Sequence, residues 1–222
     1  KVLELLAELD LKATFFIPGW TAEAHTRACE PIVAAGHEIG HHGYLHKCPE
    51  RNRLDEAHEE IDRGLAALQA RLGVRPVGYR APSGENFPEL LACLADRGLR
   101  YSSSFRDDIR PYRHRLADGR PGPVEIPVNY AFDDWNFGMT SRLDSRPIFG
   151  REAILSIWRE EFEATHDWGG VTTLVLHPQV SGRPMRWRIL RDFLTGIARR
   201  DDVWIATGRE ILANYESCEA RA

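Results

Sequence analysis

Four histidines fall within the eleven residues GHEIGHHGYLH, Gly36 to His46, and their spacing raises metal chemistry at once. His37 and His41 stand four apart, as do His42 and His46. The first pair spells H-E-x-x-H, in which two histidines on one helical face hold zinc and the glutamate activates water, a reading that requires a helix. Gly36, Gly40 and Gly43 punctuate the stretch, and each costs roughly 1 kcal/mol relative to alanine in a helix interior. The expectation is instead that His37 and Glu38 open a strand with their polar groups toward solvent, and that His42 and His46 sit in a loop or single turn behind it. Three other short apolar runs end in reactive types: Arg80 beside Pro82 in YRAPSG, Asp133 and Asp134 beside Trp135 in NYAFDDW, and His177 in LVLHPQVSG. Taken singly, these are a surface ion pair, a turn cap and a sheet-edge histidine.

The elements that must position them alternate. KVLELLAELD reads as a helix, KATFFIPG as a buried strand closed by Pro18 and Gly19, TAEAHTRACEPIVAAG as a helix stopped by Gly36, and HEIG as the next strand. LDEAHEEIDRGLAALQARLG is a long amphipathic helix ending at Gly73, PVGYRAPSG a short strand entering a Pro/Gly loop, FPELLACLADRG a helix and LRYSSSF a strand. RDDIRPYRHRLADGRPGP is a polar excursion with hairpin character. VEIPVNY, VTTLVLHP and VWIAT read as strands, and REAILSIWREEFEATHDWGG, MRWRILRDFLTGIARRDD and GREILANYE as helices. Repeated strand-helix units imply parallel strands with right-handed crossovers, and six or seven in succession predict an α/β barrel whose strand ends converge on one mouth. No linker interrupts the pattern, so one domain over residues 1–222 is expected.

With 43% apolar and 28% charged residues, the chain is rich enough in apolar side chains to build a sizeable core. A net charge of −4 without a basic patch argues against nucleic acid as a partner. No apolar run approaches the roughly 18 residues that span a bilayer, so a membrane is not an expected partner either. Cys29, Cys48, Cys93 and Cys218 form no C-x-x-C pair and read as unpaired thiols. The chain starts at Lys1 inside a helical pattern, so a targeting segment upstream would lie outside it; the compartment expected from what is present is the cytoplasm.

Taken in order, KATFFIPG, AGHEIGHHGYLH, GYRAPSG, DDW, LVLHP and VWIAT resemble the polysaccharide deacetylase family, the NodB homology domain of carbohydrate esterase family 4. The wording is most similar to the branch of peptidoglycan-deacetylase-like proteins, cyclic imide hydrolases and allantoinase-like enzymes. The resemblance implies a distorted (β/α)7 barrel and metal-dependent hydrolysis of a non-peptide C–N bond. The substrate implied is a polysaccharide or peptidoglycan acetamide, with a cyclic imide or allantoin-type ureide as the alternative, and the metal a divalent ion, zinc or cobalt. HGYLH matches the family's H-[ST]-x-x-H with glycine at the small position, which carries metal ligation to His42 and His46 and leaves His37 and His41 out. His177, oriented by Asp134, is implied to protonate the leaving nitrogen, Arg80 to hold the catalytic aspartate, and Trp135, Tyr44 and Pro82 to line the substrate pocket. The family pattern also begins with a strand ending in two aspartates, the base and a third ligand, ahead of ATFF. No aspartate pair occupies that position here. The expectation is therefore a catalytic domain incomplete at its N-terminal side, without the barrel's first strand and inactive as it stands, or a barrel that binds without turnover. A homo-oligomer is left open.

Overall fold

The computed structural model describes residues 1–140 and 145–221. Its helices in chain order are α1 (Val2–Glu8), α2 (Gly19–Ala24), α3 (Thr26–Ala34), α4 (Leu54–Leu72), α5 (Pro88–Asp96), α6 (Trp135–Gly138), α7 (Arg151–Asp167), α8 (Pro178–Ser181), α9 (Pro184–Ile197) and α10 (Gly208–Glu219). Its strands are β1 (Thr14–Ile17), β2 (Glu38–His41), β3 (Gly78–Tyr79), β4 (Tyr101–Ser102), β5 (Tyr112–Arg115) and β6 (Pro121–Glu125). They divide into two compact units, Lys12–Pro127 with Ala206–Ala222, and Lys1–Leu11 with Val128–Ile205.

The first unit is built on one six-stranded sheet in the order β1-β2-β3-β4-β6-β5. The neighbours from β1 through β4 to β6 are all parallel, as strand-helix repetition requires. β5 and β6 form the antiparallel exception, a hairpin made by the polar excursion. The strand expected at VEIPVNY consequently begins earlier, at Pro121, and ends at Glu125. In β1 the run Thr14–Ile17 is β-branched and aromatic, and Pro18, which has no N–H to extend the ladder, becomes the N-cap of α2. All four residues of β2 are buried, because a strand flanked by parallel neighbours is covered on both faces. Gly40 is obligatory there: a Cβ at that position would lie 2.4 Å from the Phe16 ring. The single helix expected over TAEAHTRACEPIVAAG is broken at His25, where the Thr26 hydroxyl donates back to the Ala22 carbonyl at 2.6 Å and competes with the helical pattern. α4 turns Ala57, Glu60, Ile61, Gly64, Ala67 and Leu68 inward at helical spacing and stops at Gly73. α10 opens with a complete capping box between Thr207 and Glu210.

The second unit packs α7 and α9 around Phe132, Ile154, Trp158, Phe162, Ile189 and Phe193, with the Trp158 and Phe193 rings 5.2 Å apart. α1 belongs to it: Arg191 of α9 pairs with Glu8 at 2.6 Å, and the Trp187 indole N–H donates to the Lys1 carbonyl. Two expected strands are not formed. VTTLVLHP makes a single parallel bridge, Val175 to Asp133, because its partner chain coils into a 3-10 turn at Tyr130–Phe132 and offers no second rung. Residues 203–207 are without helix or ladder. All four cysteines are free thiols, and among the described residues no helix is long and apolar enough to cross a membrane.

Candidate active-site residues

In the sheet unit the chemistry is concentrated where β2 ends. His42 and His46 face each other edge to face, ring centroids 4.7 Å apart. His42 Nδ1 lies 2.6 Å from the Arg80 carbonyl oxygen. A carbonyl can only accept, so Nδ1 carries the proton and Nε2 keeps its lone pair, which is how metal-binding histidines are commonly oriented. Burial, opposed in part by the hydrogen bond to the Arg80 carbonyl and reinforced by the neighbouring His46, pushes the His42 imidazole down to about 3, so the ring is neutral and competent as a ligand across the ordinary pH range. These two imidazoles fit a divalent ion; among the described residues no third His, Cys, Asp or Glu completes a group with them.

The other two histidines are engaged elsewhere. His41 is fully buried, its Nε2 3.0 Å from the Ile61 carbonyl while its Nδ1 accepts the Gly43 N–H at 3.2 Å, so both ring nitrogens are used. His37 Nδ1 accepts from the Ala13 N–H. His37 and Glu38 do not face solvent as expected: both are buried. Glu38 accepts the Thr14 hydroxyl and the Arg209 N–H at 2.8 Å each and the Tyr101 hydroxyl at 3.1 Å, tying β1, β2 and β4 to the start of α10.

Arg80 follows β3. Its Nε and Nη2 donate to the carbonyl and hydroxyl oxygens of Ser103 at 2.8 and 2.7 Å, and its guanidinium lies 4.4 Å over the Phe16 ring. The next loop is held by Glu125, fully buried, which accepts the Ser104 and Phe105 N–H groups. Pro82 is buried and lines a cavity of about 310 Å³ together with Gly43, Cys48, Glu60 and Tyr79. Tyr44 is buried too; its hydroxyl donates to Glu23 at 2.7 Å and Arg63 covers its ring, so packing accounts for the contacts it makes.

In the second unit the chemistry gathers on Asp134, 4% exposed. Its carboxylate lies 2.7 Å from His177 Nδ1, accepts the His177 backbone N–H at 3.0 and 3.1 Å, and accepts the buried Ser181 hydroxyl. Trp135 packs its ring 5.2 Å from that of His177. Asp133, Asp134 and His177 also bring three ligand-type atoms within 4.8 Å of one another. The hydrogen bonds already converging on Asp134 favour an oriented imidazole over a vacant ligand set. Arg186, also buried, donates to the Phe137 carbonyl, and its charge is opposed by burial and favoured by Asp134. Glu60, Glu125, Ser181 and Arg186 were not apparent from the sequence.

With this geometry established, similarity to known proteins becomes informative. A solved structure from Mycobacterium smegmatis, assigned as a polysaccharide deacetylase, is 37% identical over 98% of this chain and 76% of its own length, with a TM-score of 0.93. The chain belongs to the polysaccharide deacetylase family. The family's sequence profile matches residues 1–102. The peptidoglycan deacetylase of Helicobacter pylori is 26% identical over 97% of this chain and 82% of that protein. An allantoinase structure shares the fold at a TM-score of 0.85 and 23% identity, covering 97% of this chain and 71% of its own. The α/β architecture expected from strand-helix alternation is thus that of the polysaccharide deacetylases.

Proposed function

We propose that this deacetylase-family chain hydrolyses the acetamide of an N-acetylated glycan, of the peptidoglycan type, with a divalent ion held by His42 and His46. The observation that carries the reading is the preorganised imidazole pair: His42 is fixed through Nδ1 by the Arg80 carbonyl, with the His46 ring 4.7 Å away. A zinc or cobalt ion bound there supplies Lewis acidity toward water and the substrate carbonyl. The residues of this chain supply the acid side of the reaction; the water proton goes to the aspartate base that the family pattern places ahead of ATFF, which this sequence does not contain. His177 delivers the proton from Nε2 to the departing nitrogen, which is too poor a leaving group to depart as an anion. Asp134 holds the ring through Nδ1 and stabilises the positive charge it carries before transfer. Trp135, beside His177, offers an apolar wall to the sugar. Arg80, anchored on Ser103, places a fixed positive charge next to the ligand loop, suited to holding a carboxylate. The products are acetate and a free amine.

The test is acetate release from N-acetylglucosamine oligomers and from peptidoglycan, run beside ring opening of succinimide and of allantoin. With the aspartate pair of the family pattern present ahead of ATFF, the reading expects metal-dependent acetate release that His177→Ala abolishes and no turnover of the cyclic substrates; without that pair it expects no acetate release. Turnover of a cyclic imide or ureide without acetate release would replace the substrate assignment. Acetate release unchanged in His177→Ala would remove the acid.

A further inference from the structure

The chain leaving β2 turns twice through the left-handed region, at Gly43 (φ 71°) and at His46 (φ 60°). Glycine adopts that angle freely, whereas histidine does so only when its surroundings over-determine it. Between the two turns lie Tyr44 and Leu45, and both of their N–H groups donate to a single atom, Glu60 Oε2, at 3.0 and 2.7 Å. Consecutive N–H groups aimed at one point make an anion-binding concavity. Here the anion is internal, a side chain of α4 that is 9% exposed. The same segment is gripped from its carbonyl side, where Gly43 O accepts from Gly19 N at 2.9 Å and Tyr44 O from Trp20 N at 3.0 Å. His41, just ahead, is pinned by the carbonyl of Ile61, the residue after Glu60 on the same helix.

We propose that Glu60 is a positioning residue for metal capture: its carboxylate clamps the Tyr44–Leu45 turn and so stands the His46 ring against that of His42. The inference rests on the assignment of those two histidines as ligands. Glu60 acts through the backbone, its clamped residues one peptide bond from His46 and two from His42, and is not itself a ligand. A purely structural glutamate would lower stability on removal and leave the metal affinity of the folded protein as it was. A clamp changes the geometry of the ligand pair itself.

The experiment is zinc titration by calorimetry of wild type, Glu60→Ala, Glu60→Gln and His42→Ala, at a temperature where circular dichroism shows each folded. It is paired with the nuclear Overhauser contact between the His42 and His46 ring protons in metal-free protein. Glu60→Ala is expected to weaken zinc by about 10- to 100-fold, the usual cost of losing a group that orients ligands, and to lose the ring-to-ring contact. Glu60→Gln keeps an oxygen that can accept both N–H groups and is expected to retain the contact and most of the affinity. Should Glu60→Ala fail to fold, Glu60→Asp, which withdraws the carboxylate by one methylene, carries the test with the same expected direction. Wild-type affinity and an intact ring contact in the truncated variant, with zinc lost in His42→Ala, would overturn the clamp alone. Wild-type zinc binding in His42→Ala would overturn the ligand assignment and the clamp with it.

Discussion

His42 and His177 are both held through Nδ1, yet by opposite kinds of partner. His42 is fixed by a backbone carbonyl, which orients the ring without giving it a counter-charge, and burial pushes it down to about 3. His177 is fixed by the Asp134 carboxylate, which orients the ring and also supports a positive charge on it. A ligand must stay neutral, and an acid must be able to hold a proton. The partner at Nδ1, more than the histidine, sets which of the two a ring can be.

The largest effect is expected from breaking the carboxylate half of this contrast. Asp134→Asn leaves a group of the same shape that can no longer support charge on His177; acetate release should fall by about 10² to 10⁴, the usual range for losing acid-base assistance, while zinc affinity stays at the wild-type value. An equal loss of zinc would assign Asp134 to the metal instead.

The neutral half is sharpened by pH. Burial pushes the His41 imidazole down to about 4, below the ordinary value of about 6.5, so the unfolded chain takes up the proton first. Between those values the unfolded state binds more protons than the folded one. This contribution to stability is therefore complete above the unfolded value and is lost as pH falls toward the folded one, by at most about 1.4 kcal/mol per pH unit. His42, shifted the same way, adds in the same direction. Urea unfolding at a series of pH values should show a shallower acid-side slope in His41→Gln than in wild type; an identical slope would contradict the account.

Smaller effects separate scaffold from chemistry. Glu38→Ala removes a buried acceptor from Thr14, Tyr101 and Arg209 and should cost about 1 to 3 kcal/mol in urea unfolding, with zinc affinity of the folded protein unchanged. Ser181→Ala deletes one donor of several to Asp134. It should cost about 1 kcal/mol of transition-state stabilisation, read as a drop in kcat/KM of less than a tenth of that caused by Asp134→Asn. A larger loss would make the hydroxyl a principal support of the carboxylate.

Much of this was legible in the sequence because glycine and proline mark element ends. Gly36, Gly40 and Gly43 argue against a zinc-protease helix, and the structure has β2 followed by a loop there. The hidden parts are polar groups in apolar positions. Glu60 stands in LDEAHEEIDRGL among other glutamates that read as a solvated face, although its place beside Ile61 on the stripe of Ala57 and Gly64 is a signal that could have been read. His37 and Glu38 look like a wet strand start, and become buried only because parallel neighbours and α10 cover β2. VTTLVLHP has a strand's composition but only one rung, since ladders depend on the partner, which turns at Tyr130–Phe132. Ser181 and Arg186 follow the histidine by helical turns that no spacing rule connects to Asp134.

The central claim is the division of labour between the two histidine sites, and zinc calorimetry on wild type, His42→Ala and His177→Ala tests it most directly. The account predicts that zinc binding is lost in His42→Ala and kept at wild-type affinity in His177→Ala. Zinc lost with His177 and kept without His42 would identify Asp133, Asp134 and His177 as the metal group and contradict the account.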